Sequence, residues 1–354
     1  MEHSLNRASR ENETNSLCIL PEELVENVVA SLGTEDTGIE YLCALRLTCA
    51  HLYEKSLHYF GRVVLHTLNV KQSLGARWLR HVVLSLPNCR SFSVHLNYGW
   101  NDSSEYSRLE PSDGITMIMD IITETGIPVK SFSVYAHPSS SGFAFNDVDP
   151  RCLQFDMLRN LTFMASWAHV EKLKFHHNFI PGNIGEWVAS AIALAPKLKT
   201  LEIGFDYTPD AQIITTRLAS GPVVLSELQE LTLTEASEME WDELLTLLRF
   251  TCRTLRCLKL ERLQLKGGTW IPLLSQLFLF PLLEDLTLFW LSTSQRRVLH
   301  FVSLTSYLCG ALQGEKLKLD CKQFRGILKT VYVAYRGANM SVLLNALVQS
   351  ARDD

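Results

Sequence analysis

Lys266-Gly267-Gly268-Thr269 is the stretch of this chain closest in character to a phosphate-binding loop, in which backbone amides and a lysine cradle an anion. It lacks the Gly-x-x-x-x-Gly-Lys-Ser/Thr order, so the residues favour a helix-capping turn. Asp147 and Asp149 form a close acidic pair in a loop that ends at Pro150; a solvated turn explains them better than a metal site. His176-His177 has no third ligand at metal spacing nearby. Cys252 and Cys257 lie across a helix-to-strand junction, a placement that suits core filling better than zinc. Gly-x-Ser-x-Gly, His-Glu-x-x-His and paired Cys-x-x-Cys patterns do not occur. No catalytic, metal-ligating or cofactor-binding residue is assigned, and the chain is expected to be non-enzymatic.

The elements that would position any other chemistry follow from length and pattern. At 354 residues the chain exceeds one ordinary core, so two domains or a stack of repeats are expected. A hydrophobic content of 47% with 20% charged residues implies a folded protein. Its net charge of −5 removes the broad attraction that sequence-independent nucleic-acid binding requires. The nine cysteines are odd in number and scattered, as expected of reduced thiols. Met1 to Ser16 is polar, expected to be disordered, and has no apolar core of the signal-peptide kind, which points to the cytoplasm or nucleus. Without secretion, the acceptor patterns at Asn12 and Asn101 carry no meaning. The apolar run Leu273 to Leu291 contains Pro281, Glu284 and Asp285, so no membrane span is expected.

Beyond residue 85 the phrase apolar-x-x-apolar-x-apolar returns, each time fit for a strand with alternating inward side chains. Its copies are Cys89-Phe92-Val94, Val129-Phe132-Val134, Val170-Leu173-Phe175, Leu198-Leu201-Ile203, Leu228-Leu231-Leu233, Leu255-Leu258-Leu260, Leu283-Leu286-Leu288 and a weaker Leu317-Leu319. From Leu173 onward the middle residues recur at 28, 30, 27, 28 and 31 positions, which is leucine-rich-repeat spacing. Two earlier intervals are longer and hold the polar insertions 97–114 and 137–150. Between phrases the periodicity becomes helical, with Trp187, Trp241 and Trp270 near helix starts and Thr269 as a cap for the third. An ordinary α/β sheet is the alternative to a stacked solenoid.

The N-terminal region has its own pattern. Leu20, Leu24, Val25, Val28, Val29 and Leu32 recur at helical spacing behind Pro21, and helices are expected over 21–32, 39–47 and 49–59. Three short helices cannot bury that much apolar surface among themselves, so part of it should meet another protein.

Leu20-Pro21-Glu22-Glu23-Leu24 followed by Leu42 through Leu52 resembles an F-box, and the whole chain is similar to F-box proteins with degenerate leucine-rich repeats of filamentous-fungal type. The resemblance implies an α/β architecture: an N-terminal three-helix F-box (17–60), a bridge (61–85) with a strand at Val63-Val64-Leu65, a repeat solenoid (86–320) and a C-terminal cap (321–354). It implies docking of Leu20, Pro21, Leu24, Val28, Leu32, Leu42, Leu45, Leu47 and Leu52 on a Skp-type adaptor, and through it on cullin and RING subunits. The repeats would then hold a protein substrate for ubiquitination. Departures are Leu52 where the family often has Trp or Phe, Ala50 where a basic residue is common, and a long first loop at 33–38. Asn97 and Asn178 stand where the repeats place an Asn, but Ala236, Leu263 and Leu291 replace it later.

In the solenoid register, alternation puts Lys172, Lys174, His176, Glu202, Glu230, Thr232, Lys259, Glu261, Asp285, Thr287 and Phe289 on the concave face. Its sign changes from repeat to repeat, which favours a protein partner, with Phe289 an exposed aromatic anchor. Two other functions stay open: an F-box scaffold that does not direct ubiquitination, and a repeat-fold enzyme with dispersed residues.

Overall fold

The computed structural model describes residues 92–98, 111–136, 155–176, 184–205, 210–221, 225–295, 297–308, 312, 316–324 and 327–353, with positions 21, 24, 25, 27, 28, 31, 44, 45, 47 and 52 near the N-terminus. The chain runs through β1 (Phe92–Tyr98), α1 (Pro111–Thr125), β2 (Val129–Ala136), α2 (Leu161–Trp167), β3 (Lys172–His176), α3 (Ile184–Ala193), β4 (Thr200–Gly204) and α4 (Asp210–Ser220). It continues through β5 (Glu230–Thr234), β6 (Met239–Glu240), α5 (Trp241–Thr251), β7 (Cys257–Glu261), β8 (Gln264–Lys266), α6 (Trp270–Gln276), β9 (Asp285–Phe289) and β10 (Ser292–Thr293). Last come β11 (Leu299–Val302), α7 (Leu304–Leu308), β12 (Lys316–Phe324), β13 (Ile327–Arg336), α8 (Met340–Ser350) and β14 (Ala351–Asp353).

The fold is mixed α/β around an 11-stranded sheet. β1, β2, β3, β4, β5, β7 and β9 are neighbours in that order, and every pair is parallel. A doubly wound sheet would reverse its order at a switch point; this run does not reverse. Seven of the eight phrases fall on these seven strands, but the first is one step out of register: Val94, and not its middle residue Phe92, stands beside Phe132. Their inward residues align as Phe132↔Leu173↔Leu201↔Leu231↔Leu258↔Leu286 and Val134↔Phe175↔Ile203↔Leu233↔Leu260↔Leu288. All twelve are buried, in one core shared with the helices. Since each row is shared by six neighbouring strands, no strand–helix pair closes its own core.

Helix starts obey local chemistry. Asn160 caps α2, its side chain accepting from the amides of Thr162 and Phe163. Pro111 opens α1, where a missing amide costs nothing, so the end of the expected insertion at 97–114 is helical. Trp241 and Trp270 are the first residues of their helices, and their indoles donate to the carbonyls of Thr269 and Ser292 one repeat on. Thr269 sits at the cap of α6 but makes no side-chain cap bond. The Gly-Gly before it has a packing reason: Gly267 adopts φ +79°, and a Cβ on Gly268 would collide with the Trp241 ring.

After each of the last three repeat strands the backbone enters the left-handed region, at Glu235 (φ 57°), Arg262 (φ 53°) and Trp290 (φ 50°). The next residues, Ala236, Leu263 and Leu291, are buried. These occupy the place where the repeat pattern has Asn. Backbone bonds join the turns there: Gln264, Ser292 and Leu299 amides donate to Ala236, Leu263 and Leu291 carbonyls, each at 2.8 Å. A small parallel sheet of β6, β8 and β10 continues this edge.

The C-terminal end departs from expectation. Leu317 and Leu319 belong to β12, which pairs antiparallel with β13 rather than parallel with β9, so the eighth phrase is not a repeat strand. It is β13 that lies against β9, with Leu288↔Val333 and Leu286↔Tyr335 extending the inward rows. The expected boundary at 320/321 therefore falls inside β12. α8 packs against α6 and α7 and closes this end. The bridge at 61–85 and the insertion 137–150 with Asp147 and Asp149 lie outside the described residues, as do residues 1–16.

Candidate functional site

The face opposite the helices carries the outward half of each strand. Register sorts it into three rows: Lys172, Thr200, Glu230, Cys257, Asp285 and Arg336; Lys174, Glu202, Thr232, Lys259, Thr287 and Ala334; His176, Gly204, Thr234, Glu261, Phe289 and Tyr332. All nine charged, histidine and aromatic residues named for this face from the sequence, from Lys172 to Phe289, fall in one patch. Thr287 is buried, however, and Cys257 is half-buried on this face instead of filling the core. Burial and the nearby Asp285 carboxylate push the Cys257 thiol up to about 11, so it is no thiolate nucleophile at neutral pH.

The tightest cluster joins β3 to β4. His176 Nε2 donates to Glu202 Oε1 at 2.6 Å, and Lys174 Nζ forms an ion pair with Glu202 Oε2. Partial burial opposes a charge on Glu202, but hydrogen bonds from His176 and Lys174 outweigh it and hold the carboxyl at about 2. Gly204 makes room for the imidazole: a Cβ there would stand 2.6 Å from His176 Nδ1. This cluster is self-satisfied, so Lys174 is less available to a partner than Lys172, which is exposed.

Phe289 is not the free aromatic expected. It is half-buried, with Tyr332 edge-on at 5.6 Å, Trp290 at 6.5 Å and the Arg262 guanidinium 5.7 Å from its ring centre. The reason is the antiparallel strand β13, which places Tyr332 directly beside it. Tyr332 and Arg336 were missed as members of this face. Their signal was present in the alternation Val331-Tyr332-Val333-Ala334-Tyr335-Arg336, read only as part of a cap.

Near the N-terminus the amides of Leu24 and Val25 both donate to the Pro21 carbonyl, opening a helical turn behind exposed Pro21. Leu24 and Val28, one turn apart, are 49% and 37% exposed, Leu47 is 87% exposed, and Val25 is buried. Leu45 is half-buried. Leu52, in contrast, is buried at 1% exposure. Leu20, Leu32 and Leu42 lie outside the described residues.

Among the described residues no group of three His, Cys, Asp or Glu could hold a metal ion, and no helix is long and apolar enough to cross a membrane. His177 and Asn178 lie outside those residues, and Asn97 is inside β1, paired with Tyr135. The run Leu273–Leu291 folds into α6, a 3₁₀ turn and β9. Searches against family models and against curated proteins return no match for this chain.

Proposed function

We propose that this chain is the substrate-recognition subunit of an SCF-type cullin-RING ubiquitin ligase, an F-box joined to a leucine-rich-repeat solenoid. The N-terminal helices tether it to a Skp-type adaptor, and the repeats hold a protein substrate near a separate conjugating enzyme. The observation that carries the reading is the run of seven parallel strands in chain order, with helices on one face and three polar rows on the other. Such a face presents many side chains at fixed spacing and suits the capture of a protein surface. Exposed Leu24 and Val28 on one helical face support the tether, since two large apolar side chains in water are stabilised by a covering partner.

The experiment is co-purification with a Skp-type adaptor, compared with the double variant Leu24→Ala, Val28→Ala. The expected result is a stoichiometric complex that the double variant loses while its circular dichroism is unchanged. Absence of any complex with the parent chain removes the tether from the reading.

A further inference from the structure

The cations of the repeats are mostly spoken for. Lys130 and Lys199 pair with Glu171, Arg217 with Glu186, Arg256 with Glu284, Arg262 with Glu235 and Lys266 with Glu240. Others, such as Lys172, stand alone, but the C-terminal hairpin gathers its unpaired cations in one place. Lys316, Lys318 and Arg336 are exposed, and among the described residues none of them forms an ion pair. Lys316 stands directly opposite Arg336 with Lys318 two residues on along the same face; Asp285 flanks Arg336 on its other side, so the two lysines of β12 are the cations left without a neighbouring carboxylate across the ladder. Like charges facing each other across a strand pair destabilise it unless an anion lies between or beside them.

β12 is also an edge. It pairs with β13 along one side, and among the described residues no strand occupies the other. A nine-residue strand with an open side is a template for one more strand. Its lysines decide which strand: a second copy of β12 would bring Lys316, Lys318 and Lys322 with a single carboxylate, Asp320, whereas a carboxylate-bearing segment would neutralise them. Leu317 and Leu319, on the opposite side of the strand, are half-buried beside the core and hold the edge in place.

We infer that β12 receives an acidic, extended segment of a partner protein as an added strand, its Asp or Glu side chains meeting Lys316, Lys318 and Arg336. The inference rests on reading the chain as a capture module, but it uses the far end of that face, where Lys316 and Lys318 extend it past Arg336, rather than the cluster at Glu202. Strand addition supplies backbone bonds regardless of sequence, and the three cations supply the selection. Asp320 tunes the register, since a carboxylate placed opposite it would be repelled.

The test uses the full chain and a fluorescent nine-residue peptide alternating Glu with Val, read by polarisation at low and high salt. Binding that weakens with salt is expected, together with at least about a tenfold loss for K316E/K318E and no binding of the Lys-for-Glu peptide. The same variant should gain affinity for the Lys peptide, which also shows that it is folded. A peptide N-methylated at alternate amides should lose about tenfold, because it cannot complete the ladder. Equal binding of the Glu and Lys peptides, unchanged affinity of K316E/K318E, or full binding by the N-methylated peptide would each overturn the proposal. A phosphoserine peptide binding more than about tenfold tighter than the Glu peptide overturns the assignment of carboxylates. Adaptor binding, measured on the same preparation, reports separately on the ubiquitin-ligase reading.

Discussion

The Phe289 ring meets the Tyr332 ring edge to face, with centroids 5.6 Å apart and planes at 82°. One belongs to the last parallel strand and the other to the antiparallel strand that ends the series, directly opposite in register. The contact therefore joins the parallel run to the antiparallel strand that follows it. Phe289→Ala and Tyr332→Ala should each lower stability by about 1–3 kcal/mol, and a double-mutant cycle should give about 0.5–1.5 kcal/mol of coupling. Urea unfolding of the four proteins checks it; additive losses would show that the rings are neighbours without being partners.

The same geometry changes what is expected of binding kinetics. Phe289→Ala should speed dissociation of a captured protein less than an unsupported aromatic would, since part of its surface already faces Tyr332. Lys172→Glu should slow association without altering stability, because Lys172 is exposed. Lys174→Glu should instead destabilise the fold through repulsion with Glu202. Stopped-flow mixing with the partner found by affinity capture, beside thermal melts, separates the two lysines.

Acid should act through Glu202. Its carboxyl sits at about 2 in the folded chain against an ordinary value of 4.5, so its stabilisation is complete above about 4.5 and is lost as pH falls toward 2. The contribution is about 2–3 kcal/mol after allowance for partial exposure. Glu202→Gln should flatten that part of the stability profile between pH 5 and pH 3 while lowering stability at pH 7. A variant whose acid profile matches the parent would sink the assignment.

Gly204→Ala should be costly for so small a change. Its Cβ would meet His176 Nδ1 at 2.6 Å and Thr234 Oγ1 at 3.0 Å, so the imidazole must leave its place beside Glu202. A loss of about 1–3 kcal/mol is expected, with a shift of the His176 ring resonances in NMR. Unshifted resonances would mean that the sheet accommodates the methyl elsewhere.

Near the N-terminus, Leu52→Ala should cost about 2–5 kcal/mol of that region's stability, because the side chain is buried. Leu24→Ala should cost little and act on adaptor binding alone, because that side chain is exposed. Thermal melts with and without adaptor distinguish the two; reversed roles would mean that the buried and presented faces have been interchanged.

The strand phrases were legible in the sequence because their period of two is a local property, and because one inward row spans every repeat. The 28-residue interval from Leu173 to Leu201 already placed Leu173 and Leu201 in register, so the polar residues between them had to share a face. The absence of the usual Asn at 236, 263 and 291 was visible too, but not that backbone carbonyls would take over its bonds. Strand direction was not a local property. Leu317-Leu319 has the same alternation as its predecessors, yet its strand pairs antiparallel with β13, which itself lies antiparallel to β9. That choice put Tyr332 beside Phe289, covered half of the expected anchor and left Lys316, Lys318 and Arg336 together at the edge. Alternation along one strand determines which side chains share a face; only the pairing of strands far apart in the chain decides which neighbours those side chains meet.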